Sequence, residues 1–389
     1  MVTPYVPYPP ASGGQIRTLN LLKYLSKKHK ITLVALSKDS TDSKYLPALK
    51  KYCREIYICQ KPEKPWQLSN ILRSVLSFQP FLIVRNYSPQ ARQTLTKLLR
   101  EETFDVIHTE TFYVMPHVPA TKTPIVLVEQ TVEFQVYKHF VDSLPLIFRP
   151  FLYIDIAKLR FWEAYYWKKA SRMATVSEQD KKIVVQEEPN IDPIVVPNGA
   201  GEDMIMDHLP PKKPTSQILL FQGNFSWLQN IEAANYLINK IVPPLKEEFP
   251  NIKLVIAGQH ANKIRKTDRA IIEDIPSNDI ESVKKLYRES SLFLAPIFGP
   301  GGTRLKILAA MSSGLPVIST QTGVSGLEVV DEKHVLVANT PEQFVAAVRK
   351  TLNTPKLYEA LRRNAFELVR TTYNWETIAK RLEVAYENI

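Results

Sequence analysis

Residues 295–320 read APIFGPGGTRLKILAAMSSGLPVIST. An apolar run ends at Pro296, the turn FGPGG follows, and Thr303 stands where a helix N-cap belongs. The spacing predicts a helix to about Ser313, stopped by Gly314, with Pro316 opening the next strand. Strand, tight turn, helix and strand in one short stretch make a βαβ unit, and such units build parallel sheets. This register puts Arg304 and Lys306 in the first helical turn. Cations are disfavoured there, because the helix dipole and unpaired N–H groups already make that end positive. Either an anion such as a diphosphate joins the pair, or the pair is solvated and bears a small penalty. The order Gly-x4-Gly-Lys-Ser/Thr is absent, so this is not a P-loop.

Working outward, nearly continuous apolar runs recur with helical stretches between them. In the first half they are ITLVAL (31–36), EIYIC (55–59), FDVIH (104–108), PIVLVE (124–129) and RMATVS (172–177). In the second they are ILLFQG (218–223), KLVIAG (253–258), SLFLAP (291–296), PVIST (316–320) and HVLVA (334–338). Runs without alternation fit parallel strands buried on both faces. Two sets predict two α/β sheets. Residues 195–217, rich in proline and poor in periodicity, read as the linker. The expected domains are therefore 1–195 and 196–372. An amphipathic helix over 373–389 either closes the second domain or crosses back to the first. Only Met1 and Val2 precede TPYVPYPP, so either the first strand is very short or a few residues are missing, the second being preferred.

A second glycine turn, PPASGGQIR (9–17), leads into a helix with Ile16, Leu19 and Leu22 on one side. Gly13 and Gly14 let backbone approach a ligand at a helix start, or simply make a tight turn.

Composition narrows the class. The 389 residues are 44% hydrophobic and 23% charged, a balance that argues against disorder. No apolar run reaches the roughly 20 residues that span a bilayer, and the start has no signal-peptide pattern. Cys53 and Cys59 match no metal motif and read as buried thiols of a reducing, cytoplasmic compartment. The net charge of +11 is uneven: residues 1–195 hold 27 Lys and Arg against 18 Asp and Glu. That excess suggests an acidic partner there, either an anionic lipid surface or a phosphate-bearing acceptor. Nucleic acid is disfavoured, since no recognised binding motif is present.

These segments, in this order, resemble the family 4 glycosyltransferases, of the retaining GT-B type. The resemblance rests on PYPPASGGQIRTLNLLKYLSKKHKITLV, FDVIHTE, SRMATVSEQDKKIV, VVPNGA, FQGNFSWLQNIEAANYLINKIVPPL, KLVIAG, GGTRLKILAAMSSGLPVIST and YNWETIAKRL, nearly the whole chain. It implies two Rossmann-like domains facing a central cleft, acceptor side first and donor side second. The donor would be a nucleotide sugar, UDP- or GDP-linked, and the acceptor a glycan or lipid-linked saccharide. Gly301, Gly302 and Thr303 would contact sugar and diphosphate, with charge from Arg304 and Lys306. Gly13 and Gly14 would close over the phosphates, and Gly223 and Asn224 would line the same cleft. Relatives often carry a basic pair after that strand, where this chain has GNFSWLQN, so Arg304 and Lys306 would bear more of the phosphate binding. No metal and no cofactor are expected.

Two departures matter. Relatives usually place Glu at the position of Ala309, gripping the ribose, and His at the position of Gln130, directed at the donor sugar. Gln130 can hydrogen-bond a hydroxyl but cannot act as an acid or base near neutral pH. Glu129 and Glu133 lie near it in sequence and could compensate, so Gln130 and Glu133 are the candidate catalytic residues; Glu133 matches an acidic position of related sequences or pairs with a lysine. The departures leave open a catalytically inactive relative that binds a glycan or partners an active subunit. A sugar-nucleotide epimerase is a third reading, separated by whether product forms without an acceptor. His108 either faces the cleft or is a satisfied strand-end residue, and the other histidines show no ligand spacing. The aromatic and basic stretch 144–172 reads as a long helix packed on the first sheet or as a membrane-surface element. Packing is preferred, with peripheral contact at an inner membrane face consistent with the charge.

Overall fold

The computed structural model describes residues 1–64, 66–200, 208–209, 217–277, 279–300, 304–387 and 389. Two compact units result. The first includes Met1–Pro197 and Ile378–Ile389; the second includes Asn198–Gly299 and Thr303–Thr377.

The first unit is built on a parallel sheet of β1 (Val2–Thr3), β2 (Thr32–Ser37), β3 (Glu55–Gln60), β4 (Ile107–Glu110), β5 (Ile125–Glu129), β6 (Arg172–Thr175) and β7 (Ile194–Val195). Its order is β3-β2-β1-β4-β5-β6-β7. The second sheet holds β8 (Ile218–Gln222), β9 (Lys253–Gly258), β10 (Ile271–Asp274), β11 (Leu292–Ala295), β12 (Val317–Ser319) and β13 (Leu336–Val337), in the order β10-β9-β8-β11-β12-β13. Every pairing between these strands is parallel. Each sheet reverses its strand order at its first strand, the place where open α/β sheets take ligands beyond the strand ends. These are two Rossmann-like α/β domains.

Each of the ten apolar runs forms a strand. Their interiors, such as Leu33, Ala35, Leu127, Val128, Leu220, Phe221 and Leu294, are fully buried. β1 is the short strand that the sequence left open: Val2 pairs with Val34 on one side and Thr109 on the other. β7 and β10, both at sheet edges, are additional.

Part of the expected linker is packed. Val196, Asn198 and Ala200 are buried, and the Trp375 indole donates to the Ala200 carbonyl at 2.6 Å. Residues 201–207 and 210–216 lie outside the described residues. The last helix, Trp375–Glu387, begins in the second unit and contributes Glu383 and Tyr386 to the first. Glu383 pairs with Lys28 at 2.8 Å and His29 at 3.2 Å.

Two local readings change. The helix Gly13–Leu25 buries Arg17, Thr18, Leu21, Leu22 and Leu25 rather than an Ile16/Leu19/Leu22 stripe. Its inward face is partly polar because Arg17 has work inside, donating to the carbonyls of Val196 and Pro197 at 3.1 and 3.0 Å. The 144–172 stretch is a 3-10 turn, Leu146–Phe148, followed by the helix Arg149–Lys169. That helix buries Ile156, Leu159, Glu163, Tyr166 and Trp167, so its later part packs as expected. Its beginning does not: Leu146, Ile147, Phe148, Phe151 and Ile154 are all exposed.

Candidate active site

In the second unit, the helix after β11 is Leu305–Ser312. Its N-cap position belongs to Arg304, not to the expected Thr303. Arg304 has an extended backbone and makes no side-chain cap bond. Its guanidinium reaches back to the Gly299 carbonyl at 2.7 Å, which fixes the turn from the helix side. Gly301, Gly302 and Thr303 lie outside the described residues. Lys306 is in the first turn, as the spacing predicts.

The Lys306 ammonium is 2.5 Å from Asn230 Oδ1 and 4.8 Å from the centre of the Phe221 ring. It is also 3.0 Å from where a Cβ on Gly223 would stand, so a side chain there would make Lys306 and Asn230 give by a few tenths of an ångström. No carboxylate among the described residues comes within ion-pair distance of it. Burial, reinforced by the charge of Arg304, pulls its pKa down to about 7. A half-buried ammonium answered only by an amide oxygen and a ring face can still accept an anion.

Asn230 is the residue that sequence reasoning missed. It lies in the helix Leu228–Tyr236, is buried, and donates to the Asn224 carbonyl at 2.6 Å while its oxygen meets Lys306. Asn224 itself spends its side chain on the turn, donating to Gln259 at 3.1 Å and accepting from the Ser226 N–H at 2.9 Å. Its effect on Lys306 therefore runs through its backbone and Asn230. Ala309 is half-buried and lies one turn beyond Lys306 on the same helix face.

In the first unit, Ser12 caps the helix that Gly13 and Gly14 begin. A Cβ on Gly14 would come within 2.7 Å of Gln130 Oε1 and would also collide with the Tyr5 hydroxyl, so glycine is required by close approach. Gly14 and Gln130 thus meet. Gln130 follows β5 and donates to Glu110 at 2.6 Å and to the Tyr5 hydroxyl at 2.8 Å. Glu110 is fully buried, receives His108 Nε2 at 3.0 Å and lies 3.6 Å from Arg17 Nε. Burial pushes this carboxyl up, but Arg17, His108 and Gln130 outweigh it and hold it below the usual range.

His108 is lowered by burial and therefore neutral; with Nε2–H given to Glu110, its Nδ1 accepts from the Tyr386 hydroxyl at 2.5 Å. Of its two readings, the satisfied strand residue holds. His117 is likewise satisfied, between the Ser88 N–H at 2.9 Å and the Val114 carbonyl at 2.8 Å.

Glu133 opens the helix Glu133–Asp142, and burial raises its pKa to about 7 against the opposing pull of Arg85. It makes no lysine ion pair among the described residues. Glu129 does not join Gln130: it turns into the core, where the Phe112 N–H and the Trp167 indole donate to it at 3.2 and 3.1 Å. Burial and the neighbouring Glu163 push its pKa well above the usual carboxylate range. Both cysteines are buried free thiols. Among the described residues no three His, Cys, Asp or Glu side chains converge on a metal position, and no helix is long and apolar enough to cross a membrane.

The model of "Glycosyltransferase Family 4" matches residues 11–201, and that of "Glycosyl transferases group 1" matches residues 216–354. An uncharacterized 44.6 kDa protein in the cps region of Klebsiella pneumoniae is 22% identical, over 95% of this chain and 94% of its own length. The sucrose-phosphate synthase of Thermosynechococcus elongatus superposes with a TM-score of 0.71 at 16% identity, covering 100% of this chain and 98% of that one. Anabaena HepE, solved with UDP and glucose, gives 0.63 at 10% identity, covering 100% and 99%. Two glycosyltransferase models, end to end over a pair of parallel-sheet domains of this topology, make the chain a glycosyltransferase of the GT-B fold.

Proposed function

We propose that the chain transfers a glycosyl group from a nucleoside-diphosphate sugar to a saccharide acceptor with retention of anomeric configuration. The observation that carries this reading is Lys306, a half-buried lysine beside Gly223 with no carboxylate partner among the described residues. In this reading Lys306 and Arg304 offset the charge that develops on the departing diphosphate, so no metal or cofactor is needed. Gly223 lets the phosphates approach, and the sequence resemblance assigns further donor contacts to Gly301, Gly302, Thr303, Gly13 and Gly14. Asn224 acts through Asn230 by aiming Lys306. Gln130 orients a sugar hydroxyl, and the leaving phosphate takes the acceptor proton, which suits a site whose amide cannot. HepE, a structural neighbour, was solved with UDP and glucose, which favours UDP over GDP as the nucleotide here.

A peripheral membrane contact on the cytoplasmic face is supported by exposed apolar side chains on two adjoining helices. Phe151 is 76% exposed and Leu76 is 85% exposed, with Ile147, Ile154 and Val75 also in solvent. The helix Leu68–Leu76 receives Lys158 of the helix Arg149–Lys169 at its Ser74 carbonyl, 2.7 Å away, and just beyond it Phe78 packs on Phe161 at 5.1 Å. Apolar rings with flanking cations suit an anionic bilayer interface. Sedimentation with anionic vesicles should carry the protein down, and Phe151→Ser with Leu76→Ser should release it; equal recovery of both proteins argues against the contact.

Calorimetric titration with UDP and GDP, wild type against Arg304→Ala/Lys306→Ala, tests the donor site. Binding lost in the variant is expected, followed by sugar transfer with the donor's anomeric configuration kept in the product. Folded protein that binds no nucleotide sinks the reading.

A further inference from the structure

We infer that the first unit holds a separate cavity for a phosphate-bearing saccharide, recognised through Lys38, Lys61 and Arg85. This deepens the proposed function, on which it rests, by naming the chemical class of the acceptor.

The cavity measures about 450 Å³, within the range of small-ligand sites. Its wall comes from chain that leaves the sheet at the C-terminal ends of three strands. Pro4 and Tyr5 follow β1, Lys38 follows β2 and Lys61 follows β3. Parallel sheets present their ligand sites at these ends. Arg85 comes from the helix Phe81–Asn86 and rests against the rings of Phe81 and Tyr137, 5.8 and 6.0 Å away.

The three cations are gathered with no direct ion pair among the described residues, although Asp39 and Asp42 line the same cavity and Arg85 acts on the charges of Glu133 and Asp155. No carboxylate among the described residues lies within ion-pair distance of any of them. Lys61 is largely enclosed, donating to the Pro4 carbonyl at 2.6 Å and to Asn86 Oδ1 at 2.8 Å. Burial, Lys38 and Arg85 together bring it down to about 7, and burial with Arg85 also lowers Lys38. Cations that repel one another in a cavity are costly unless a ligand anion joins them. A phosphate dianion matches three converging positive charges better than a single carboxylate does.

The rest of the wall suits a sugar. Tyr5, Tyr45 and Tyr113 line it with aromatic surface, the Tyr5 hydroxyl being held by Thr18 and Gln130. Asp39 and Asp42 also line the cavity, but their loop engages them: Asp39 accepts from the Thr41 N–H at 2.8 Å and Asp42 from the Ser37 hydroxyl. Their remaining oxygens are acceptors for sugar hydroxyls.

The test is calorimetry on the full chain saturated with UDP, using glucose 1-phosphate, inorganic phosphate, glucuronate and glucose as probes. Glucose 1-phosphate should bind at least about tenfold more tightly than the other three. Lys38→Gln/Arg85→Gln should weaken it by about tenfold or more while UDP affinity stays within about twofold. Lys61→Met should act in the same direction, but it removes a buried group, so the double variant carries the test. Displacement of the sugar phosphate by UDP, equal binding to the double variant, or equal binding of glucose or glucuronate would each overturn the proposal. Inorganic phosphate binding as tightly as glucose 1-phosphate would remove the saccharide part. A chain that binds glucose 1-phosphate but no nucleotide would instead fail the donor reading alone.

Discussion

Gln130 lies 2.6 Å from Glu110, and its amide nitrogen also reaches the Tyr5 hydroxyl at 2.8 Å. The side chain is therefore anchored through its nitrogen, leaving Oε1 as its outward polar atom, next to Gly14. Gln130→Ala strips one donor from a buried carboxylate and should cost about 1–3 kcal/mol, read as a lower denaturant midpoint at unchanged slope. A midpoint equal to wild type would show that Glu110 does not depend on Gln130.

Gly14→Ala should destabilise the first unit, because the new methyl meets Gln130 and Tyr5 in a packed corner. Tyr5→Phe alone loses the contacts of its hydroxyl with Thr18 and Gln130. In the double variant the two losses should overlap, since the hydroxyl is one of the atoms in the way. Strict additivity in a thermal-melt cycle argues against crowding as the cause.

Lys306 sets opposite pH trends for folding and for donor binding. Folded, it gives up its proton near pH 7; unfolded, near its ordinary 10.5. Between those values the unfolded chain holds more protons, so stability should rise with pH, and Lys61, also near 7, adds to the trend. Diphosphate affinity should fall over the same window as the free enzyme loses the ammonium, by up to about tenfold per pH unit. Melting and UDP titrations from about pH 7 to 9 check both; Lys306→Met should flatten the binding trend and leave only the Lys61 part of the stability trend. Trends of the same sign would rule out this role for Lys306.

Ala309→Glu places a carboxylate one helical turn from Lys306. If that face holds the nucleotide ribose, UDP should bind more tightly, by an amount up to about 1–3 kcal/mol for the new hydrogen bond. Titration of uridine phosphates against their 2′-deoxy counterparts separates this from a general charge effect: the gain should vanish without the 2′-hydroxyl.

The strands were legible because continuous apolar runs have few other homes in a chain of this composition. β1 was ambiguous because two residues carry no period; pairing on both sides defines that strand. β10 escaped because Ile271–Asp274 is an edge strand ending in charge. Lys306 was legible from its place after a glycine turn, whereas Asn230, 76 residues distant, gave no local signal. Arg304 took the cap position from Thr303 because its side chain had a carbonyl to hold within its own turn. The helix Leu68–Leu76 shows a further limit: an apolar face tells that a helix has a side to cover, not whether the protein covers it.

The bond between His108 and Tyr386 has a consequence for synthesis. His108 and its partner are 278 residues apart, and the second unit is made between them. The first unit thus holds an incomplete core edge through translation of the second unit. A nascent chain stopped before Ile378 should leave that edge open to chaperones and proteases, and release of the terminal helix should close it.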